Sequence, residues 1–250
     1  MPNDYSNPGA SVEPDLDRCR LYLNYQFDEQ TRSLTTRRRK PPGPAITISD
    51  QTGSGAHEIA SRLAALLQAG EPKGSPPWTV FDRQLVEKVL EEHHLPKRLA
   101  KFMPEDRRSY LDDVVDELLG LRPPSCVWVP KIIQSVLHLA EAGHVILVGR
   151  GAGFITGRMP NVFHTRLIAP LPKRIERVQK LEGLSPKEAA KFIARSDRGR
   201  GRYLKAYFHS RVDNDLLYHM VLNTDLTPLP EAAELITDGA RRCFKRKEVP

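Results

Sequence analysis

Cysteine is scarce in this 250-residue chain: Cys19, Cys126 and Cys243 are odd in number and widely spaced. They offer neither a disulfide framework nor a paired metal-ligand motif, which leaves a reducing, intracellular setting as the expectation. Long apolar runs are absent too. None approaches the roughly 20 residues that a membrane-spanning helix needs. The opening "MPNDYSNPGASVEPDLD" lacks the basic start and apolar stretch of a signal peptide, so a cytoplasmic protein with no membrane partner is expected. Aromatic residues are 7% of the chain and do not interleave with its basic runs, which argues against a stacking platform for single-stranded nucleic acid. The eight histidines are scattered, with no zinc-set spacing. No serine sits in a G-x-S-x-G elbow, and Cys126, beside Val127 and Trp128, reads as a packed thiol rather than a nucleophile.

What is present fits one globular domain with an extension. Hydrophobic residues make up 40% of the chain, enough for a full core. The formal charge of +7 has two visible sources, "RRRK" at Arg37 to Lys40 and "RRCFKRK" at Arg241 to Lys247. Both lie near the ends, where solvated charge is the plainer reading and nucleic-acid contact through phosphates the sharper one. Residues 1–44 are rich in Asp, Asn, Arg and Pro and end in "RRRKPPGP", a composition expected to be disordered.

From Ala45 the periodicity alternates. "AITIS" reads as a strand, "GSG" as a turn, and Ile59, Leu63, Leu66 and Leu67 mark a helix. "WTVFD" is a second strand candidate leading to the helical pattern "RQLVEKVLEEHH", and residues 95–130 read as a helical insertion around "YLDDVVDELLGL". "KIIQSVLHLAEAG" is a helix, "HVILVG" a strand buried on both faces, and "VFHTRLIA" another strand. "LPKRIERVQKLEG" continues as a helix, and Ser185, Pro186 and Glu188 open the next as N-cap, first residue and capping-box partner. "HMVLNTD" and "LPEAAELITDGARRCF" close the chain as strand and helix. Repeated βα units imply an α/β fold with a parallel sheet.

Three features carry chemistry. In "DQTGSGAHE", Gly53 and Gly55 free the backbone to turn N–H groups toward an anion at the positive end of the following helix. Against the Walker A pattern G-x-x-x-x-G-K-[ST], Gly55 fits the second glycine, but Asp50 stands at the first, Ala56 at the lysine and His57 at the hydroxyl. Second, Arg150 in "VGRGAGF" directly follows an apolar strand, which places it at the carboxyl end of the sheet with a fork suited to phosphate. Third, Arg195, Arg198, Arg202 and Lys205 recur at three, four and three residues, one cationic stripe on a helix that Gly199 and Gly201 are expected to interrupt. Such a segment can close as a lid, and an exposed basic face reads the same way.

Taken in order, "ITISDQTGSGAHEIASRLA", "VFDRQLVEKV", "VILVGRGAGFIT", "RLIAPLPKRIERV", "DRGRGRYLKAYF" and "VLNTDLTPLPEAAELI" resemble the cytidylate kinase-like family of P-loop proteins, from about Ala45 to Ala240. The resemblance implies a three-layer nucleoside monophosphate kinase-like fold with a central parallel sheet, a helical insertion and a lid over residues 185–212. It implies that Gly53, Ser54, Gly55, Ala56 and His57 cradle the phosphates of ATP, that Asp82, Arg83 and Arg150 hold the acceptor, and that Arg150, Arg195, Arg198 and Arg202 act in catalysis. The family's Asp-Gly-Arg-Asp segment is matched by Gly149 and Arg150, with Val148 and Gly151 in place of the acids.

The family is similar to this chain in lacking the loop lysine. Arg150, a lid arginine or His57 would have to compensate. Mg²⁺ is expected with ATP, and its candidate protein ligands reduce to Ser54, Asp50, Asp82 and Asp225. Phosphoryl transfer to a nucleoside monophosphate, CMP or dCMP first, is therefore expected. The alternative is a nucleotide-binding regulatory module without turnover.

Overall fold

The computed structural model describes residues 42–82, 129–149, 151–209 and 213–248. Within them, five parallel strands form one sheet: β1 (Ala45–Asp50), β2 (Thr79–Phe81), β3 (Val145–Val148), β4 (Val162–Ile168) and β5 (Met220–Asn223). Their spatial order is β2-β3-β1-β4-β5, with β1 at the centre. Ile46 pairs with Ile146 on one side and Phe163 on the other. The five strands fall where the alternating pattern of the sequence puts them.

Period-two alternation assigns the two faces. Ile46, Ile48, Ile146, Phe163 and Leu167 pack against α1 (Ala56–Ala69) and α6 (Leu229–Glu248), where Ile59, Leu63, Ala232, Ala233 and Ile236 are fully buried. Ala45, Val145, Leu147 and Val162 turn the other way. They meet Val136 and Ala140 of α2 (Val129–Ala142) and Ala152 of α3 (Ala152–Ile155), a single turn that the sequence pattern does not announce. Three layers result, as expected for repeated βα units.

Helices α4 (Leu171–Glu182) and α5 (Pro186–Phe208) pack side by side at the carboxyl end of the sheet. Gly183, with φ 66°, ends α4 in the left-handed conformation, its N–H donating to Gln179 O. Ser185 then starts α5 with a complete capping box to Glu188. One expectation is corrected: α5 runs unbroken through Gly199 and Gly201. Gly199 is buried, and Tyr203 and Leu204 just beyond it pack against Phe154 and Ile133, so tertiary contact outweighs the weak helix propensity of glycine.

The expected helix after Asp82 lies outside the described residues, as do residues 1–41 and the expected 95–130 insertion up to residue 128; its last two residues, Val129 and Pro130, open α2 instead. No helix among the described residues is long and apolar enough to cross a membrane.

Candidate functional site

The carboxyl end of central β1 runs directly into the glycine turn and α1. Strand order reverses across β1, because β3 lies on one side of it and β4 on the other. This is the crevice where open parallel sheets take their ligands.

Each residue of the loop is fixed by a different neighbour. Gln51 N–H donates to Leu167 O at 3.0 Å, and its side-chain carbonyl accepts from Ala169 N–H at 3.0 Å. Ser54 N–H closes the turn onto Gln51 O at 2.9 Å. Ser54 O accepts from Thr224 Oγ1 at 2.8 Å, and Arg177 in turn donates to both oxygens of Thr224, at 2.8 and 2.6 Å. Gly53 and Gly55 have φ of 83° and 89°. At Gly53 a Cβ would stand 2.7 Å from Arg174 O, so both backbone conformation and the close approach of α4 require glycine.

Two features of this turn suit an anion. Gly55, the N-cap of α1, brings no side chain to the first N–H groups of the helix, whose positive end is therefore left without a side-chain cap. Ser54 Oγ is fully buried and has no hydrogen-bond partner among the described residues, and a buried hydroxyl left in that state calls for a ligand or water. His57, at the Walker hydroxyl position, donates from Nδ1 to Asp82 Oδ2 at 2.6 Å. A residue expected at the donor phosphates and one expected at the acceptor are thus joined.

The remaining expected residues are distributed as follows. Arg83 and Arg150 lie outside the described residues. Gly149 and Gly151, with φ of 73° and 70°, are held beside β1 by Gly149 N–H donating to Ile48 O at 2.9 Å. Arg195, Arg198 and Arg202 are exposed along α5, and Arg198 Nε donates to Ala194 O of its own helix at 3.0 Å. Among the described residues no group of three or more His, Cys, Asp or Glu side chains forms a metal cage. Of the expected magnesium ligands, Asp50 ends β1, Asp82 follows β2 and Ser54 lies in the turn itself. A Mg²⁺ ion held largely by phosphate and water needs only one or two such carboxylates.

A different set of charges reaches the loop. Asp197 Oδ1 accepts from Thr52 N–H at 3.0 Å and from Thr52 Oγ1 at 2.8 Å. Its Oδ2 accepts from Arg174 Nη1 at 2.7 Å. Arg174, on α4, also donates to Ala169 O and Thr52 O. Arg200 donates to Asp50 O, approaches Asp50 Oδ1 at 3.5 Å and Asp197 Oδ1 at 3.9 Å, and lies 3.4 Å from Thr52 Oγ1.

Arg174, Asp197 and Arg200 were not singled out by sequence reasoning, although a signal existed. Asp197 and Arg200 stand three apart on one helix face, beside the stripe of Arg195, Arg198 and Arg202.

A profile of the cytidylate kinase-like family matches residues 45–226. A curated cytidylate kinase from Pyrococcus horikoshii is 38% identical over 102 residues, covering 38% of this chain and 50% of that protein. A uronate isomerase from Corynebacterium glutamicum is 31% identical over 111 residues, covering 44% of this chain and 21% of that protein. The chain thus spans half or less of the length of these curated relatives. A solved structure of an uncharacterized protein from Eubacterium ventriosum is similar in fold, with a TM-score of 0.53 at 18% identity, over 79% of this chain and 98% of that one.

Proposed function

The chain belongs to the cytidylate kinase-like family, and on that premise we propose that it transfers the γ-phosphoryl group of ATP to a nucleoside monophosphate, CMP or dCMP first. Family and fold support kinase-type chemistry; the acceptor is our own reading. The observation that carries it is the glycine turn at the end of β1, pinned from Asp50 to Gly55 and opening onto the uncapped first turn of α1.

Phosphoryl transfer asks little covalent work of a protein. It needs donor and acceptor in line and positive charge over the transferring group. In this reading the turn from Gly53 to His57 binds the donor phosphates through backbone N–H groups and the helix dipole. Asp82, Arg83 and Arg150 hold the acceptor on this reading, and the His57–Asp82 hydrogen bond ties Asp82 to the turn. Arg195, Arg198 and Arg202 neutralise charge as the acceptor enters. Mg²⁺ arrives with ATP and offsets charge on its phosphates.

One observation favours a second reading, a nucleotide sensor without turnover: Asp197 sits on the loop as an internal anion, accepting from Thr52 N–H. Incubation with ATP, Mg²⁺ and a panel of nucleoside monophosphates, with diphosphates followed by chromatography, separates the two. CDP or dCDP formed by the wild type and lost in Arg150→Ala is the expected result. ATP binding with no product from any acceptor would establish the sensor instead.

A further inference from the structure

Arg200, rather than the exposed arginines on the same helix, is brought to the phosphate loop. It is half-buried, and its guanidinium reaches both the backbone and the carboxylate of Asp50, the residue at the first position of the turn, as well as Thr52. Arg174 approaches the same loop from α4, is 9% exposed, and holds Thr52 O. Two fixed guanidiniums therefore flank a turn that has alanine where a lysine would stand. Both face carboxylates. Asp197 bonds Thr52 N–H, Thr52 Oγ1 and Arg174 Nη1, and Asp50 lies against Arg200. Two formal positive charges meet two negative ones, so the loop is close to neutral as it stands.

A carboxylate that accepts from a loop N–H, a loop hydroxyl and a guanidinium makes the same bonds that a phosphate oxygen would make there. We propose that Arg200 is the phosphate-binding cation of this loop, serving in place of the absent lysine, and that Asp197 is its internal stand-in for phosphate, displaced when a nucleoside triphosphate binds. Displacement leaves the guanidiniums of Arg174 and Arg200 facing the incoming oxygens. No bond is made or broken in this exchange; one anion replaces another on the same donors. The inference rests on the kinase reading insofar as that reading places a triphosphate in the turn.

Calorimetric titration of the full chain with ATP tests it, using wild type, Arg200→Ala, Arg200→Lys and Asp197→Asn. Each variant is first checked for folding by its thermal midpoint. Arg200→Ala is expected to weaken ATP binding by about tenfold or more, as loss of a charge-assisted contact does, with partial rescue in Arg200→Lys. Asp197→Asn keeps an oxygen for Thr52 but removes the competing charge, and is expected to tighten binding by about tenfold. A merely structural Asp197 would instead give weaker binding and a lower thermal midpoint together. Unchanged ATP affinity in Arg200→Ala, or weakened affinity in a folded Asp197→Asn, overturns the inference while the kinase reading stands. A wild type that binds no ATP overturns both.

Discussion

A left-handed backbone conformation can be required for two separate reasons, and this chain holds both cases. Gly74 has φ of 90° with open space where a side chain would go, whereas Gly53 has φ of 83° and a Cβ there would stand 2.7 Å from Arg174 O. The obstacle at Gly53 is backbone, so it cannot rotate aside. Gly74→Ala is expected to cost about 1 kcal/mol in urea unfolding, from conformation alone. Gly53→Ala adds the displacement of α4, and a loss of about 2–3 kcal/mol is expected. Only the second substitution should also weaken ATP binding, because only it moves the turn. Equal costs at the two positions would mean that α4 yields freely and that the loop is less fixed than its hydrogen bonds indicate.

At the scale of elements, α4 and α5 carry charge that can be read by titration. Glu176, on α4, is held down to about 2 from its ordinary 4.5, chiefly by hydrogen bonds from Lys180 and Lys173. Glu188 is lowered by the hydroxyl and N–H of Ser185 in the capping box. A carboxyl whose folded value is depressed contributes fully above its unfolded value and loses that contribution as pH falls through the folded one. The stabilisation from Glu176 should therefore be complete above about 4.5 and fade between 4.5 and 2. The side chain is exposed, so the effect is small and screened by salt. The thermal midpoints of wild type and Glu176→Gln should differ at neutral pH in low salt and converge as pH approaches 2. A gap that persists there would assign the effect to something other than the ion pair.

These elements also show what was legible. The capping box at Ser185 and the five strands are local patterns of three to seven residues, and each stands where the sequence puts it. The latch of Asp197 on Thr52 joins residues 145 apart, and no periodicity encodes such a pairing. The glycines of α5 were misleading because their propensity favours a break, while the burial of Tyr203 and Leu204 holds the helix through them. His57 departs from the Walker pattern in the sequence itself, whereas its pairing with Asp82 depends on α1 lying beside the end of β2.

For the whole molecule, the sheet order puts the loop at the centre and the large core beneath it, so stability and binding are separable in principle. Ile236 of α6 is fully buried in the core shared with α1. Ile236→Ala removes core volume and is expected to cost about 2–5 kcal/mol. Ile236 belongs to the core beneath the turn, so ATP at one hundred times its dissociation constant should add the same increment to wild type and variant, about 2.7 kcal/mol. Denaturant melts with and without ATP check this additivity. One path could break it: Leu229, at the start of the same helix, lies against Gly55, where a Cβ would stand 2.7 Å from its Cδ2. If α6 shifts to fill the cavity, Leu229 moves with it and carries Gly55 out of position. The ATP increment would then shrink in the variant, and restoring bulk with Ile236→Leu should return it. Such a result would make α6 part of the machinery that shapes the phosphate loop, whereas equal increments would confine that role to α4, α5 and the end of β5.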